Sequence, residues 1–236
     1  MHTIFNLPIY IDGEKKLLEY IKYNTGKIHI ISGNAEVLKY SLQDKTAYEL
    51  FAAKENIIIP DGISVYRPIK KKVKTAQKIA GIDFMQLLLD AYQNTDKKVY
   101  FLGAREAVIY TLIPIIKQKY PNLNIAGYHH GYFNINDCAD IIEDITQSKA
   151  NILFVALGTP NQENFIFKYM NELPCMLFMG VGGSFDVLSG TIRRAPEWMC
   201  RLGIEWLHRL FKDPSKIGRM WNNIVFTLKA YHGVST

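Results

Sequence analysis

The stretch NILFVALGTPNQ, from Asn151 to Gln162, decides the fold class of this chain. Its first seven residues form a nearly continuous apolar run, which predicts a strand buried on both faces, as parallel sheets require. Gly158 and Pro160 end that strand, and residues 160–170 are predicted to form the next helix. A buried strand that leads through a glycine turn into a helix is the repeating unit of an α/β protein.

The same unit recurs along most of the chain. Short apolar segments predict six strands, at residues 27–32, 57–59, 98–102, 124–127, 151–157 and 175–179. Helices are predicted between them at residues 35–42, 82–92, 106–119, 136–148 and 160–170, the fourth opened by Asn134 or Asn136 as its cap. Residues 70–74, of which four are lysine, are predicted to form a loop. This alternation predicts a mostly parallel, Rossmann-like sheet with helices on both faces.

The C-terminal part has a different composition. Residues 201–211 and 214–231 are predicted to be helices with no strand between them. From Arg193 onward the chain has eight Lys/Arg and three Asp/Glu, so this segment carries +5 of the net charge of +6, and it holds all three tryptophans. We therefore divide the chain into an α/β core, residues 1–195, and a helical appendage, residues 196–236. The apolar face of the second helix either packs on the core or meets lipid.

Five glycine-containing turns follow the predicted strands, and each is predicted to begin a helix. They are residues 32–34, 61–62, 103–105, 158–162 and 180–184. Free N–H groups at helix N-termini suit phosphate, and glycines let the backbone approach a ligand closely. The turns therefore predict a nucleotide or sugar-nucleotide site. Its candidate contacts are Gly103, Arg105, Gly158, Asn161, Gly182 and Gly183, although Arg105 also fits an ordinary exposed arginine at a helix start.

Asp61 follows the apolar strand Ile57–Ile59, after Pro60. Ligands of open α/β sheets bind beyond the carboxyl ends of the strands, where a carboxylate is a candidate general base. The alternative is that Asp61 is a turn residue, or the N-cap of a helix that begins near Ile63.

Several classes of site have no signature in the sequence. There is no GxGxxG after the first strand, no GxxxxGK[ST] and no paired-aspartate metal motif. His129 and His130 are neighbours in or beside a strand, so their side chains are expected on opposite faces. The three cysteines have no metal-binding spacing and are expected to be buried thiols. We therefore expect no metal and no cofactor.

Nine segments in this order and spacing resemble the WecG/TagA/CpsF glycosyltransferases, family 26 of that class. The segments are Ser32–Glu36 (SGNAE), Ile59–Gly62 (IPDG), Ala80–Asp83 (AGID), Phe101–Gly103 (FLG), His130–Phe133 (HGYF), Ala156–Glu163 (ALGTPNQE), Gly180–Asp186 (GVGGSFD), Arg194–Trp198 (RAPEW) and Leu202–Leu210 (LGIEWLHRL).

The resemblance implies an enzyme of bacterial surface-polysaccharide or teichoic acid synthesis. Such an enzyme moves an N-acetylmannosamine-like sugar from a UDP donor to a polyprenyl-diphosphate-linked acceptor sugar, with inversion and without a metal. The resemblance also implies that Asp61 is the catalytic base and that Ser32, Asn34 and Gln162 line the pocket. A C-terminal appendage would cover the pocket and supply cations, which by position are Arg209, Lys216 and Arg219.

Two departures from the family pattern leave the identity of the sugar open. Ser32 stands where the family more often has threonine, and it keeps the hydroxyl group. Lys78 and Lys216 stand where arginine is common, and a lysine lacks the two-pronged geometry of a guanidinium group.

The sequence and the family resemblance also predict where the protein is located and what it binds. The chain lacks a signal peptide and a long apolar run, so we expect a cytoplasmic protein held peripherally at the inner face of the cell membrane. It is a possible homo-oligomer. One rival is a non-enzymatic nucleotide-binding module whose basic tail binds nucleic acid, although the tail has no known nucleic-acid-binding motif. Another is a UDP-sugar epimerase, against which the missing dinucleotide fingerprint counts.

Overall fold

The computed structural model describes residues 2–202 and 217–235, with the backbone alone at residues 200–202, 217–222 and 235. Its strands are β1 (Thr3–Ile4), β2 (Leu7–Pro8), β3 (Ile28–Gly33), β4 (Asn56–Pro60), β5 (Lys98–Gly103), β6 (Asn124–His129), β7 (Ile152–Ala156), β8 (Leu177–Gly180) and β9 (Val234–Ser235). Its helices are α1 (Glu14–Tyr23), α2 (Ala35–Ser41), α3 (Lys45–Ala52), α4 (Ile63–Lys72), α5 (Gly81–Tyr92), α6 (Glu106–Lys119), α7 (Ala139–Ser148), α8 (Asn161–Tyr169), α9 (Ser184–Leu188), α10 (Glu197–Leu202) and α11 (Ile217–His232).

Six of the strands form the central sheet, in the order β4-β3-β8-β7-β5-β6. All five neighbouring pairs are parallel, which confirms the α/β class. The six predicted strands are confirmed as β3 to β8. Five of them, β3, β4, β5, β7 and β8, consist mainly of buried apolar residues, and this composition makes such strands recognisable without an alternating pattern. The sixth, β6, lies at the edge of the sheet and has only partly buried and exposed residues.

Helices cover both faces of the sheet, as predicted. Side chains of α1, α5 and α6 pack with Phe101 and Phe154 on one face. Side chains of α7 and α8 pack with Tyr100 and Leu153 on the other, and α2 and α4 continue that layer over β3 and β4. Helices α6 and α8, which follow the neighbouring strands β5 and β7, therefore leave the sheet toward opposite faces. A crevice is expected where such a reversal occurs.

Two local predictions are wrong. Residues 70–72 do not form a loop, because they are the last turn of α4. Val65 and Ile69 of that helix are buried, and Lys70 donates to the carbonyls of Lys74 and Ala76, so the lysine ammonium groups stay at the helix end, where positive charge is favourable. Helix α7 begins at Ala139, and Asn134 instead accepts a hydrogen bond from the N–H of Asn136 in the turn before it.

The termini meet in a second, small sheet with the order β2-β1-β9 and antiparallel pairing. Helix α11 leads into β9 and packs on α4 and α2. Phe226, Ala230 and Val234 are buried there in one apolar cluster. One face of the C-terminal helix is thus part of the core. The division between residues 195 and 196 stays a prediction, and most of the first predicted appendage helix, residues 201–211, lies outside the described residues.

Cys138 and Cys175 are buried and form no disulfide, as expected, whereas the side chain of Cys200 is outside the described residues. In the parts of the chain that the structure describes, no helix combines the length and apolar character that crossing a membrane requires.

His29 on β3 gives the fold a predictable dependence on pH. Its Nδ1–H donates to Oδ1 of Asn56 at 3.0 Å, and its ring lies edge-on to Phe167. Its Nε2 has no hydrogen-bond partner among the described residues. Burial lowers the pKa of His29 from 6.5 to about 3. Because the unfolded chain binds this proton more readily, protonation favours unfolding.

We therefore expect the free energy of unfolding to decrease as the pH falls from about 6.5 toward about 3. We expect denaturant unfolding at a series of pH values to show that the free energy of unfolding changes less with pH in His29→Leu than in the wild type. The lost hydrogen bond to Asn56 lowers the stability of the variant equally at every pH, so it does not alter the change with pH. An equal change with pH in the two proteins would contradict the assignment.

Candidate active site at the carboxyl edge of the sheet

A cleft of about 880 Å³ opens at the carboxyl edge of the sheet, above β5, β7 and β8. Four loops line it, at residues 104–105, 131–133, 156–158 with Asn161, and 182–183 with Asp186. The cleft lies between α6 and α8, which depart to opposite faces of the sheet. It therefore occupies the position where open α/β sheets bind ligands.

Three glycines leave part of the cleft wall bare. Gly158 and Gly182 have φ values of +74° and +50°, a backbone conformation that disfavours a side chain. Gly183 has an ordinary φ of −79°. A Cβ atom at any of the three would meet no described atom within 4 Å. At Gly183, therefore, neither backbone strain nor packing against the described residues explains the glycine.

Arg105 and Asp186 place opposite charges in the cleft. Arg105 precedes α6, and its Nη2 lies 3.9 Å from Oδ1 of Asp186. The Arg105 side chain is 61% exposed, and an exposed pair at this distance is weak. The guanidinium group is thus able to leave Asp186 for an anion, and the positive end of the α6 dipole lies beside it.

An aromatic turn forms the wall opposite the glycines. Tyr132 lines the cleft with 72% of its surface exposed. Its backbone N–H donates to Nδ1 of His130 at 3.2 Å, and Nδ1 of His129 donates to the His130 carbonyl. The rings of the two histidines lie only 4.3 Å apart. The expectation that they point to opposite faces is wrong because β6 ends at His129, so the alternation of a strand no longer applies to His130.

Ser32 and Asp61 meet at the N-terminus of α5, at the same carboxyl edge of the sheet as the cleft. A Cβ atom at Gly81 would collide with Oγ of Ser32 and would lie 3.4 Å from Oδ2 of Asp61. Oγ of Ser32 also donates to the carbonyl of Gly180, the last residue of β8. Asp61 follows β4 as predicted, but it is not the N-cap of α4, because Gly62 holds that position.

Asn34 and Gln162 are held by protein groups. The Oδ1 atom of Asn34 caps α2 by accepting from the N–H groups of Glu36 and Val37. Gln162 is buried at the start of α8, where its Oε1 accepts from the N–H of Gly182. Its neighbour Glu163 is also buried, and desolvation raises the pKa of that carboxyl group.

A protein-family model described as "Glycosyl transferase WecG/TagA/CpsF family" matches residues 2–234. The chain belongs to this family. It is therefore a glycosyltransferase, and the resemblance noted in its sequence is confirmed.

Three named relatives of this glycosyltransferase carry the same description, "N-acetylglucosaminyldiphosphoundecaprenol N-acetyl-beta-D-mannosaminyltransferase". The Bacillus subtilis (strain 168) protein is 36% identical over 223 residues, which cover 92% of this chain and 86% of the relative. The Bacillus spizizenii protein is 39% identical over 202 residues, 85% of this chain and 77% of the relative. The Staphylococcus aureus (strain MW2) protein is 31% identical over 211 residues, which cover 89% of this chain and 82% of the relative.

Within this WecG/TagA/CpsF fold, the predicted site residues fall into five groups. Arg105, Gly158, Asn161, Gly182 and Gly183 line the cleft. Asp61 and Ser32 lie together at the same edge of the sheet. Gln162 supports the turn at Gly182, and Asn34 caps α2. Gly103 lies below the cleft against the Ala156 backbone, where a side chain has no room. The side chains of Arg209, Lys216 and Arg219 are outside the described residues.

Sequence reasoning from single residues missed Tyr132, Phe133 and Asp186. All three stand in segments that carry the family resemblance, HGYF and GVGGSFD, so the signal was present without an assigned role. An exposed tyrosine beside a glycine is not distinctive in a sequence. Its place in the cleft depends on where β6 ends relative to β5, and this is a property of the folded sheet.

Proposed function

We propose that this glycosyltransferase moves an N-acetylmannosamine residue from a UDP-linked donor to N-acetylglucosamine on a polyprenyl diphosphate. The acceptor and the sugar are those named for its relatives. The observation that carries the proposal is that Asp61 and Ser32 lie together at the same carboxyl edge of the sheet as the glycine-walled cleft. A cleft for the leaving nucleotide next to a carboxylate is the arrangement that glycosyl transfer requires.

In this proposal the donor nucleotide occupies the cleft. Tyr132 offers an aromatic face for a base, and the bare backbone at Gly182 and Gly183 leaves room for the diphosphate. Arg105 and the N-terminus of α6 supply positive charge near it. The sugar would then extend toward β8 and β3, because Ser32 bonds the carbonyl of Gly180, two residues before Gly182 of the cleft wall.

Asp61 would act as the general base of an inverting transfer. Its carboxylate would take the proton of the acceptor hydroxyl while the hydroxyl oxygen attacks the anomeric carbon from the face opposite the diphosphate. The bond from that carbon to the phosphate oxygen breaks, and UDP leaves with the electron pair. We also propose that the helix ends and cationic side chains stabilise the departing diphosphate without a metal ion.

The proposal is tested by measuring UDP release with a panel of UDP-sugars and a short-chain lipid-diphosphate N-acetylglucosamine acceptor. We expect turnover with UDP-N-acetylmannosamine that persists in excess EDTA, and a β-linked product by NMR. Turnover with a different UDP-sugar only would contradict N-acetylmannosamine as the sugar transferred. Loss of turnover in EDTA that Mg²⁺ restores would contradict metal independence. Binding of nucleic acid without turnover would favour the non-enzymatic alternative, for which the family membership gives no support.

The lipid acceptor gives a reason for contact with the membrane, which we place on α11. Ile224, Val225 and Leu228 are exposed on this helix and form an apolar strip. Cationic groups flank the strip on both sides. Lys39 of α2 bonds Asn223 of α11, and Lys71 of α4 lies over the ring of Tyr231, one helical turn beyond Leu228. An apolar strip between lysines suits an anionic lipid surface.

We expect Leu228→Glu to weaken binding to vesicles that contain phosphatidylglycerol by about tenfold or more. A leucine side chain that enters the lipid contributes roughly 1.5–3 kcal/mol to binding, and the glutamate that replaces it is repelled by the anionic lipid. Leu228 is exposed, so folding and turnover of a short-chain acceptor should not change. Tyr23→Glu, on the exposed part of α1, is the matched control with the same change of charge. Binding is measured by vesicle flotation. An equal loss of vesicle binding in both variants would argue against the apolar strip as the membrane-binding surface.

A further inference from the structure

Two buried polar side chains form a hydrogen-bonded chain beneath the cleft. Oε1 of Gln162 accepts from the backbone N–H of Gly182 at 2.9 Å, and Nε2 of Gln162 donates to Oε1 of Glu163 at 2.8 Å. Oγ1 of Thr159 lies 3.4 Å from the same Glu163 oxygen. Gln162 and Glu163 are 3% and 1% exposed, respectively. The chain therefore runs, shielded from water, from Glu163 to the backbone of the cleft wall.

The direction of the Gln162 amide determines whether it can hold the turn. Only its oxygen can accept from the Gly182 N–H, and a flipped amide would set two donors against each other. Glu163 selects the correct direction because its carboxyl oxygen accepts from the nitrogen end. Gly180 leaves the space for this amide, since a Cβ atom there would lie 2.7 Å from Nε2 of Gln162.

We propose that Glu163 is a positioning residue that acts through Gln162 to hold the turn at Gly182 and Gly183 in the shape that accepts the donor diphosphate. The inference rests on the proposed function, since it takes the cleft to be the donor site. Glu163 is an unfavourable choice for stability alone. Its Oε2 is buried without a hydrogen-bond partner in the described part of the chain, and an apolar side chain would avoid the cost of burying that group.

The test measures UDP affinity of the full-length protein by calorimetry in a double-mutant cycle. We expect Glu163→Met and Gln162→Met each to weaken UDP binding by about tenfold, as loss of a charge-assisted hydrogen bond does. The double variant should bind UDP no more weakly than Gln162→Met, because Glu163 acts through that side chain. Glu163→Gln keeps an acceptor for Nε2 and should restore affinity to within about threefold of the wild type.

Tyr169→Phe is the matched control on the same helix. It removes the hydrogen bond from the Tyr169 hydroxyl to the carbonyl of Ile135 and should lower Tm without changing UDP affinity. If Glu163 had only a structural role, Glu163→Met would likewise lower Tm without changing UDP affinity. Normal UDP affinity in Glu163→Met, or additive losses in the cycle, would overturn the inference and leave the proposed function intact. If Glu163→Met does not fold, normal UDP affinity in Gln162→Met overturns it equally. Absence of UDP binding by the wild type would contradict the proposed function itself.

Discussion

Replacing Asp61 by Asn is expected to lower kcat by about 10²–10⁴-fold, the usual contribution of a general base. Asparagine keeps the size of the side chain and removes its ability to take a proton. Asp61 is not the N-cap of α4, so the substitution leaves that cap unchanged. UDP affinity should remain close to that of the wild type, because the carboxylate does not line the cleft.

The measurement is steady-state turnover with a short-chain acceptor, combined with UDP calorimetry and thermal unfolding. Asp90→Asn is the matched control, since it makes the same chemical change on the exposed side of α5, where Asp90 accepts a hydrogen bond from Gln93. A kcat for Asp61→Asn within a few-fold of the wild type would remove Asp61 from the role of base. A large loss of UDP affinity would instead assign it to donor binding.

The strands and the position of Asp61 could be predicted because local sequence determines them. Most strands of the central sheet are buried on both sides, so their apolar character does not depend on their neighbours. Asp61 follows such a strand directly, and a parallel sheet brings all carboxyl ends to one edge. The fold class and the position of Asp61 therefore follow from patterns of three to seven residues.

Features that depend on distant partners could not be predicted in this way. The lysines at the end of α4 look unsuited to packed structure, yet Lys72 donates to the carbonyl of Val234 at the other end of the chain. The strands β1 and β9 have two residues each, too few to form a pattern, and they exist because the termini pair. Likewise, Gln162 looks like a ligand contact in the sequence, and its burial against Gly182 is visible only in the fold.

The cleft itself shows the same limit. Glycines after strands are common for reasons of packing, so the sequence cannot distinguish Gly103 from Gly183. In the structure they differ completely. Gly103 lies against the backbone of Ala156, whereas a Cβ atom at Gly183 would meet no described atom within 4 Å. Only the second arrangement predicts an effect on ligand binding that is separate from an effect on stability.

Gly183→Ala is therefore expected to weaken donor binding by about 10–100-fold while leaving the fold as stable as before or slightly more stable. The added methyl group enters the space that we assign to the diphosphate, and forcing a methyl group against a well-packed neighbour costs roughly 1–3 kcal/mol. The φ of −79° suits alanine, and a compatible Gly→Ala substitution stabilises a protein by about 0.4–1 kcal/mol through the unfolded chain.

Gly190→Ala should give the opposite pair of results. Gly190 has a φ of +77° and does not line the cleft, so alanine there strains the backbone and leaves the ligand space unchanged. We expect Gly190→Ala to lower Tm with a normal KM for the donor, and Gly183→Ala to raise KM with a normal or higher Tm. Because each variant changes a different quantity, KM or Tm, the comparison separates a clash with the ligand from backbone strain. A normal KM in Gly183→Ala would mean that the donor diphosphate does not lie against this turn, and the donor would then have to bind elsewhere along the carboxyl edge of the sheet.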